Sequence, residues 1–285
     1  MEKQDLKQDI KFVALDLDGT MLNTKRRLTE RTKTALEAAI KKGIYVVIAT
    51  GRASSALPED VFKIEGLKYL ITSNGASVTD MTKDELIYSN CIDAKALENT
   101  VSLLRKYDFM LEFFIKGYAY VDQIIYDKIT TMNFTEPHKK YIIETRKPVK
   151  GLLDFALLHK EFVENINVNF EDQGNRSMMR KVLATLENVT LTTSFDHNLE
   201  IGGATTSKAD AVGMLCRKHG ISEEQVMACG DNPNDLAMLK AAGFPVAMGN
   251  AKDDLKEIAR YVTSTNDEDG VAEAVEKFIL VREDE

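Results

Sequence analysis

The sequence predicts an α/β fold in which a parallel-sheet core is interrupted by an α+β insert. Near both ends of the 285-residue chain, short apolar runs of strand length alternate with helical patterns, as in a parallel sheet covered on both faces. In the middle, aromatic-rich segments alternate apolar with polar residues, as antiparallel strands with one polar face do. A third observation is that two carboxylates, Asp16 and Asp18, directly follow the apolar run from Phe12 to Leu15.

The first part of the chain predicts three strands and one well-bounded helix. The first strand covers residues 12–15. A helix follows in "TERTKTALEAAIKKG", where Thr29 can cap its start and Gly43 can end it. Strands are expected over 44–48 and 69–71, and each runs into a polar turn, "TGR" after one and "SNG" after the other.

The last part of the chain repeats this alternation of strand and helix. "SKADAVGMLCRKHG" predicts a helix with Ser207 as its cap and Gly220 as its end. Next come a strand in "EQVMACGD", a helix in "NPNDLAMLKAAG" and a strand in "FPVAMGNA". "LKEIARYVTSTNDEDG" predicts a helix running into a short strand, and "VAEAVEKFIL" predicts a closing helix.

The middle of the chain predicts an antiparallel sheet with helices on one face. "YDFMLEFFIKGYAYVD" reads as two strands joined at Lys116-Gly117. Further strands are expected in "VENINVNFED" and "NVTLTTSF", with a helix in "RSMMRKVLATLE" between them. We therefore assign residues 1–91 and 196–285 to a discontinuous core and residues 92–195 to the insert.

Composition excludes several classes of function. The formal net charge of −8 argues against a nucleic-acid-binding protein, which needs a surplus of cations on one face. The three cysteines are far apart and form no CxxC pair, so neither a disulfide framework nor a zinc site is expected. The charged start "MEKQDLKQDIKF" is unlike a signal peptide, and no apolar run reaches the ~20 residues of a membrane span. We expect a cytoplasmic protein whose four histidines are structural or surface residues.

Polar side chains follow each predicted core strand. Asp16 and Asp18 follow the first, Thr50 the second, and Asp231 and Asp235 a later one. Ligands of open parallel sheets bind at the carboxyl ends of the strands, so these side chains are expected at one edge. A simple turn is the alternative for "DLDG". A calcium loop fails, because its twelfth position would be Lys25 rather than an acid.

Lys208 adds a cation to this edge. It begins a predicted helix, where the helix dipole disfavours a positive charge, so it is either a solvated surface residue or the partner of an anion. Four carboxylates at one edge would repel each other without a cation, and Mg²⁺ is a natural partner for oxygen ligands. Acids, a hydroxyl, one lysine and Mg²⁺ together indicate phosphoryl transfer.

These motifs resemble the haloacid dehalogenase superfamily, specifically its Cof-type phosphatases. Four pieces match in order: "DLDGT" at 16–20, "ATGR" at 49–52, "SK" at 207–208 and "GDNPNDLAML" at 230–239. Further marks are "NGA" at 74–76, "VAMGNA" at 246–251 and "TNDEDGVA" at 265–272. Ala209 and Pro233 depart from the usual pattern without replacing a catalytic side chain. The resemblance implies a Rossmann-like core and a cap formed by the insert between the second and third motifs.

The resemblance also implies a role for each matched residue. Asp16 would be the nucleophile that forms an aspartyl-phosphate, and Asp18 the general acid and base. Mg²⁺ would be held by the Asp16 carboxylate, the Asp18 backbone carbonyl and Asp231, with Asp235 in support. The implied phosphate-binding groups are Lys208, Thr50, the backbone amides at Leu17 and Gly51, and Asn234. Arg52 and Asn74 are possible substrate contacts, with surface or turn roles as the alternatives.

The expected activity is Mg²⁺-dependent hydrolysis of a small phosphomonoester, with sugar phosphates as the substrate class that the resemblance favours. A phosphomutase or phosphotransferase with the same nucleophile is one alternative, and a non-catalytic sensor of phosphorylated ligands is another. No obligatory protein partner is expected.

Overall fold

The computed structural model describes residues 9–280, and these residues contain two β-sheets. The larger sheet has eight strands in the order β14-β13-β12-β1-β2-β3-β4-β5. Its strands are β1 (Phe12–Leu15), β2 (Tyr45–Ala49), β3 (Tyr69–Thr72), β4 (Ser77–Asp80), β5 (Glu85–Ser89), β12 (Val226–Gly230), β13 (Phe244–Ala247) and β14 (Tyr261–Val262).

The larger sheet is parallel from β14 to β3, as the apolar strand runs predict. All four residues of β1 are buried, because the strand lies at the centre of the sheet between β12 and β2. The sequence did not predict β4 and β5, which add an antiparallel hairpin beside β3. The carboxyl ends of β1, β2, β3 and β12 therefore meet at one edge, as expected of a Rossmann-like core.

The smaller sheet has six strands in the order β10-β11-β9-β6-β7-β8. All neighbouring pairs are antiparallel except β7 and β8. Its strands are β6 (Met110–Ile115), β7 (Tyr118–Asp122), β8 (Arg146–Val149), β9 (Val163–Asn169), β10 (Val189–Thr192) and β11 (Asn198–Gly203).

Ten α-helices connect these strands in the described part of the chain. The helices are α1 (Glu30–Lys41), α2 (Ala94–Leu104), α3 (Gln123–Lys128), α4 (Glu136–Thr145), α5 (Leu152–Leu158), α6 (Gln173–Leu183), α7 (Lys208–His219), α8 (Leu236–Ala241), α9 (Asp253–Ile258) and α10 (Gly270–Val275).

The predicted helix ends agree with the observed caps. Thr29 accepts a hydrogen bond from the Thr32 backbone N–H at the start of α1. Ser207 accepts one from the Asp210 backbone N–H at the start of α7, and Gly220 ends that helix in the left-handed conformation. The predicted closing helix continues beyond α10 as a π-helical turn over Glu276–Leu280.

The insert ends later than the sequence predicted. Strand β11, which the boundary between 195 and 196 would leave in the core, pairs with β9 and β10 of the smaller sheet. Its sequence "NLEIGG" does not predict a strand, because Asn and Gly are poor strand formers and Glu is also depleted in strands. Residues 92–203 together hold the smaller sheet and its helices, and we call this region the insert.

Helices cover both faces of the smaller sheet rather than one. Leu111 and Phe113 point to the face where α2, α5 and α6 bury an apolar cluster. Met110 points to the opposite face, where it packs with residues of α3 and α4. That second face also carries buried polar residues at alternate positions of β9, namely Asn165, Asn167 and Asn169. The sheet therefore presents a partly polar face beside α3 and α4.

Within residues 9–280, no helix combines the length and the apolar character that crossing a membrane requires. The prediction that the charged N-terminal segment is not a signal peptide rests mainly on residues 1–8, which lie outside the described residues. Residues 281–285, which we assigned to the core, also lie outside them.

Candidate active site

The first strand delivers a buried carboxylate to the edge of the larger sheet. Asp16 follows Leu15 at the end of β1 and is 5% exposed. Its backbone N–H donates to the carbonyl of Cys229 on β12, which keeps the chain in sheet register one residue past the strand. Asp16 is therefore held where the carboxyl ends of parallel strands meet, as predicted.

Lys208 reaches this carboxylate from the other end of the sequence. Its side chain is fully buried, and its Nζ lies 2.5 Å from Asp16 Oδ1 and 2.7 Å from Asp235 Oδ1. Of the two alternatives for Lys208, the first residue of α7, the structure shows the partner of an anion and not a solvated surface charge. The contact joins the two halves of the discontinuous core.

The loop after β12 brings two more carboxylates. Asp235 Oδ2 accepts hydrogen bonds from the backbone N–H groups of Asp231 and Asn232, so Asp235 shapes the loop as well as pairing with Lys208. Asp231 Oδ1 accepts a hydrogen bond from Thr20 Oγ1 at 2.8 Å. Gly19 is required beside them, because its φ is +82° and an added Cβ would lie 2.4 Å from Asp231 Oδ2.

The three buried carboxylates form a candidate metal centre. One oxygen from each of Asp16, Asp231 and Asp235 lies within 4.8 Å of the others. The predicted ligand set of Asp16, Asp18 and Asp231 shares two members with this cluster, and Asp235, predicted as a supporting residue, is the third. Both oxygens of Asp235 already accept hydrogen bonds, which is consistent with its supporting role.

Burial makes this cluster electrostatically unusual. Burial and the neighbouring Asp235 raise the pKa of Asp16 well above its ordinary value, although Lys208 acts against this shift. Burial and Asp235 also raise the pKa of Asp231 to about 7. Burial alone would lower the pKa of Lys208, but Asp16 and Asp235 outweigh it, and the pKa is raised. Three acids thus share one ammonium group.

Asp18 lies apart from this cluster and is paired with Arg52. Arg52 Nε donates to one Asp18 oxygen at 2.7 Å and its terminal nitrogen to the other at 2.6 Å. A third donor of Arg52 is bound to the Ala56 carbonyl at 2.8 Å. Each Asp18 oxygen thus accepts one hydrogen bond from Arg52 and keeps a second acceptor site, and Asp18 also lines the cavity. Arg52 was predicted as a possible substrate contact, and it lies in the cavity described next.

A cavity of about 230 Å³ opens between the core and the insert. The core contributes most of the predicted catalytic and phosphate-binding side chains, and the insert contributes aromatic and polar ones. The predicted site residues that line the cavity are Asp16, Asp18, Thr50, Gly51, Arg52 and Asn234. The insert thus forms the wall that faces Asp16 and Asp18.

The predicted phosphate-binding residues Thr50, Gly51 and Leu17 lie in closely packed surroundings. Thr50 is buried, and its hydroxyl accepts a hydrogen bond from the Arg52 backbone N–H at 3.2 Å. Gly51 allows close packing, because an added Cβ would lie 3.0 Å from Asn74 Oδ1. The Leu17 side chain is fully buried, so only its backbone is a plausible contact for a phosphate oxygen.

Two core asparagines and two insert residues form a hydrogen-bonded network. Asn234 Nδ2 donates to Asn74 Oδ1 at 3.1 Å and to Ser194 Oγ at 3.0 Å. Glu200 accepts from Asn74 at 2.9 Å and from Ser194 at 2.8 Å. Burial raises the pKa of Glu200, although the hydrogen bonds from Ser194 and Asn74 act against this shift. Asn74, predicted as a possible substrate contact, therefore holds Asn234 through its side-chain oxygen.

Sequence reasoning missed the functional residues of the insert. Two of the histidines that we expected to be structural or surface residues, His138 and His197, line the cavity. Glu200 lies on β11, one of the strands that the sequence did not predict. The alternation of Leu199 and Ile201 around Glu200 is the signal that could have revealed this strand and its inward carboxylate.

Comparison with known proteins agrees with this geometry. Residues 13–275 match the family model of haloacid dehalogenase-like hydrolases. A 5-amino-6-(5-phospho-D-ribitylamino)uracil phosphatase of Bacillus subtilis, YcsE, is 31% identical over 280 residues, covering 98% of this chain and 99% of that protein. The chain spans essentially the whole length of this relative.

Solved structures show the same relationship. A haloacid dehalogenase-like hydrolase from Bacillus subtilis superposes with a TM-score of 0.83 at 30% identity, covering 95% of this chain and all of that one. The subclass IIB sugar phosphatase BT4131 superposes with a TM-score of 0.79 at 26% identity, covering 95% of this chain and all of that one. The chain therefore belongs to the haloacid dehalogenase-like hydrolases, as a Cof-type phosphatase that hydrolyses phosphoric monoesters.

Proposed function

We propose that this enzyme is a Mg²⁺-dependent phosphatase that hydrolyses a small phosphomonoester through a phosphoryl group carried on Asp16. The observation that carries the proposal is the buried contact between Lys208 and Asp16, with Asp231 and Asp235 beside it, because Asp16 also lines the cavity between the core and the insert. A carboxylate held by a buried cation and open to a cavity is suited to nucleophilic attack on phosphorus.

The acidic cluster fits a divalent cation. One lysine does not balance three buried carboxylates. Burial, and after it the neighbouring Asp235, raises the pKa values of Asp16 and Asp231. Carboxylate oxygens are the ligands that Mg²⁺ prefers. Asp16, the Asp18 backbone carbonyl and Asp231 would hold the ion, and Asp235 would support them. When bound, Mg²⁺ would supply positive charge beside the phosphoryl oxygens.

The chemistry would proceed in two displacements at phosphorus. In the first, a carboxylate oxygen of Asp16 bonds to phosphorus, the bond to the leaving oxygen breaks, and Asp18 gives its proton to that oxygen. In the second, a water oxygen bonds to phosphorus and loses its proton to Asp18, and the bond to Asp16 breaks. Inorganic phosphate and the free Asp16 carboxylate result. Arg52 would orient the Asp18 carboxyl group for both proton transfers.

Fixed donors would stabilise the charge on the phosphoryl group during both displacements. Lys208 contacts Asp16, and Thr50 lines the same cavity as Asp16. The backbone amides at Leu17 and Gly51 would complete the core side. Asn234 would join them only after releasing one of the hydrogen bonds that its amide N–H groups donate to Asn74 and Ser194. Preorganised donors of this kind account for much of the acceleration of phosphoryl transfer.

We place the substrate among phosphorylated metabolites of the cytoplasm, with sugar phosphates and related polyol phosphates as the main class. The relative at 31% identity is named for such a compound, a ribityl phosphate attached to a uracil ring. A net charge of −8 is consistent with a small-molecule substrate rather than a nucleic acid. No obligatory protein partner or membrane is part of this proposal.

Release of phosphate from a panel of phosphorylated metabolites tests the proposal. With Mg²⁺, we expect turnover of at least one sugar or polyol phosphate, and none in excess chelator. Asp16→Asn is the matched control, because its amide has the same shape and is a much poorer nucleophile. Undiminished turnover in chelator or in Asp16→Asn would refute the proposed chemistry. Transfer of the phosphate to a second sugar instead of water would identify a phosphotransferase.

A further inference from the structure

The insert side of the cavity is built largely from rings. Five ring side chains of the insert line the cavity, and we call them the ring wall: Phe114, His138, Tyr141, Phe195 and His197. The core side of the same cavity carries the catalytic carboxylates. The ring wall therefore faces the part of a substrate that lies beyond its phosphate.

Three members of the ring wall meet at a corner. The rings of His138 and His197 lie 4.6 Å apart at 77°, and Phe195 stacks on His197 at 5.4 Å and 15°. Phe195 remains 48% exposed although it lines the cavity. An exposed aromatic face beside a cavity offers a stacking surface to a flat ligand.

The two histidines add hydrogen-bonding groups to this corner. Nε2 of His138 and Nε2 of His197 are both buried without a hydrogen-bond partner in the described part of the chain. Burial lowers the pKa of both residues, that of His138 to about 4, so both rings are neutral near pH 7. A neutral imidazole offers one donor and one acceptor, and leaving either unpartnered costs free energy. Ring N–H and carbonyl groups of a ligand would complement them.

Two arginines that line the cavity are already paired with carboxylates. Arg146 donates to Glu112 at 2.9 Å, and its guanidinium lies 4.5 Å from the centre of the Tyr141 ring. Arg52 is paired with Asp18 in the same way. An uncharged ligand would leave these pairs intact, whereas a second anionic group would compete for them. Arg26, an exposed core residue 5.0 Å from the same ring, makes a distal anion the alternative to test.

We propose that the corner of Phe195, His138 and His197 selects substrates whose leaving group carries a flat, uncharged heterocyclic ring with hydrogen-bonding groups. The heterocycle stacks on Phe195, and its N–H and carbonyl groups face the two imidazoles. This inference rests on the proposed function, since it concerns the leaving group of the same reaction. It adds which residues of the insert discriminate among phosphomonoesters, and by what chemistry.

A matched pair of substrates tests the selectivity. D-ribitol 5-phosphate and 5-amino-6-(5-phospho-D-ribitylamino)uracil share the phosphorylated chain and differ in the ring. We expect kcat/KM to be about 10-fold or more higher for the ring-bearing compound, since stacking of one base on an aromatic side chain has an effect of this size. Ribitol 1,5-bisphosphate, which places an anion at the distal end, should gain no such advantage.

Variants assign the effect to the corner. Phe195→Ala should bring the ratio of kcat/KM for the ring-bearing and ringless substrates close to one. Phe162→Ala is the matched control, because Phe162 is an insert phenylalanine of similar exposure (45%) that is not part of the ring wall. It should leave the ratio unchanged. His197→Leu should lower this ratio of kcat/KM. His197→Gln should lower it less, since only Gln retains hydrogen-bonding groups.

Several results would overturn the inference. They are a wild-type ratio near one, a preference for the bisphosphate, or an unchanged ratio in Phe195→Ala. Turnover of ribitol 5-phosphate without a ring preference would leave the proposed function standing and reject the ring subsite alone.

Calorimetric titration with the dephosphorylated ring compound, 5-amino-6-(D-ribitylamino)uracil, tests the subsite without turnover. Binding to the wild type that is at least about 5-fold weaker in Phe195→Ala supports the subsite even if no phosphate is released. Equal binding, or none, rejects it.

Discussion

The core and insert walls of the cavity hold buried charge in opposite ways. In the core, Asp16, Asp231 and Asp235 share one buried ammonium group, that of Lys208. In the insert, the buried carboxylate of Glu112 faces the single buried guanidinium of Arg146. The core wall is therefore left with excess negative charge that calls for a metal ion. In the insert, Glu112 and Arg146 balance each other, and the remaining buried carboxylate of the cavity, Glu200, accepts hydrogen bonds from the neutral groups of Asn74 and Ser194. The difference indicates that phosphoryl chemistry belongs to the core and discrimination of uncharged groups to the insert.

The largest effect should come from removing the proposed nucleophile of the core, Asp16. We expect Asp16→Asn to lower kcat by about 10⁴-fold or more for every substrate, because no other side chain can take its place. Its thermal stability in chelator should not fall, since the change removes one of three crowded carboxylates. Steady-state phosphate release and calorimetric melting measure the two quantities. A variant that retains a tenth of wild-type activity would contradict the assignment.

The next largest effect should come from breaking the balanced pair of the insert. Arg146→Met leaves Glu112 fully buried without its cation, and we expect a loss of about 3–5 kcal/mol in the free energy of unfolding. Urea denaturation followed by circular dichroism measures it. The double variant Arg146→Met with Glu112→Leu should recover much of the loss, because no buried charge remains. A double variant as unstable as the single one would show that the pair is not balanced as described.

A smaller effect should distinguish the two walls by their response to Mg²⁺. At a Mg²⁺ concentration of about 100 Kd, binding to the folded state alone should stabilise the wild type by about 2.7 kcal/mol. Asp231→Asn should lose most of this stabilisation, whereas Arg146→Met should keep it despite its lower starting stability. Melting temperatures with and without Mg²⁺ provide the comparison. Equal stabilisation of all three proteins would place the metal outside the acidic cluster.

The smallest effect concerns the pH dependence of the insert. Burial and His197 lower the pKa of His138 to about 4, so the unfolded chain binds a proton below pH 6.5 that the folded protein does not. The nearby groups act in both directions, since Glu112 raises this pKa while Arg146 and Arg26 lower it. The free energy of unfolding should therefore fall as the pH is lowered from about 6.5 towards 4.

The variant His138→Gln removes this titration. Its loss of stability between pH 7 and 4.5 should be smaller than that of the wild type by on the order of 1 kcal/mol, a value reduced for partial exposure. Urea titrations at several pH values measure both curves. Parallel curves for the two proteins would show that His138 titrates normally in the folded state.

The same contrast explains what the sequence could and could not predict. Asp16 and Lys208 are 192 residues apart, yet each follows a local signal, a strand end in one case and a helix cap in the other. Because parallel strands align their carboxyl ends, the topology alone brings such signals together. Short sequence motifs were therefore enough to predict that the core side chains meet at one edge of the sheet. They also predicted the caps of α1 and α7.

The insert gave no comparable signal. His138 lies on α4, whose sequence "EPHKKYIIET" has few apolar residues, and His197 lies on the turn between β10 and β11. The contact between His138 and His197 depends on how α3 and α4 pack on the partly polar face of the smaller sheet. The periodicity of apolar residues in the sequence does not predict this tertiary packing. Strand β11 was missed for a related reason, since its polar residues are buried by long-range partners.

The most direct test of the central claim is to find the phosphoryl group on Asp16. Rapid acid quenching during turnover of the best substrate, followed by mass spectrometry of proteolytic peptides, would show where phosphate is held. We predict one added phosphoryl group on the peptide that contains residues 11–22. The group should be absent in Asp16→Asn. It should still be found in Asp18→Asn, where hydrolysis of the intermediate is slower. Turnover without any such adduct, or an adduct on a residue other than Asp16, would contradict the account.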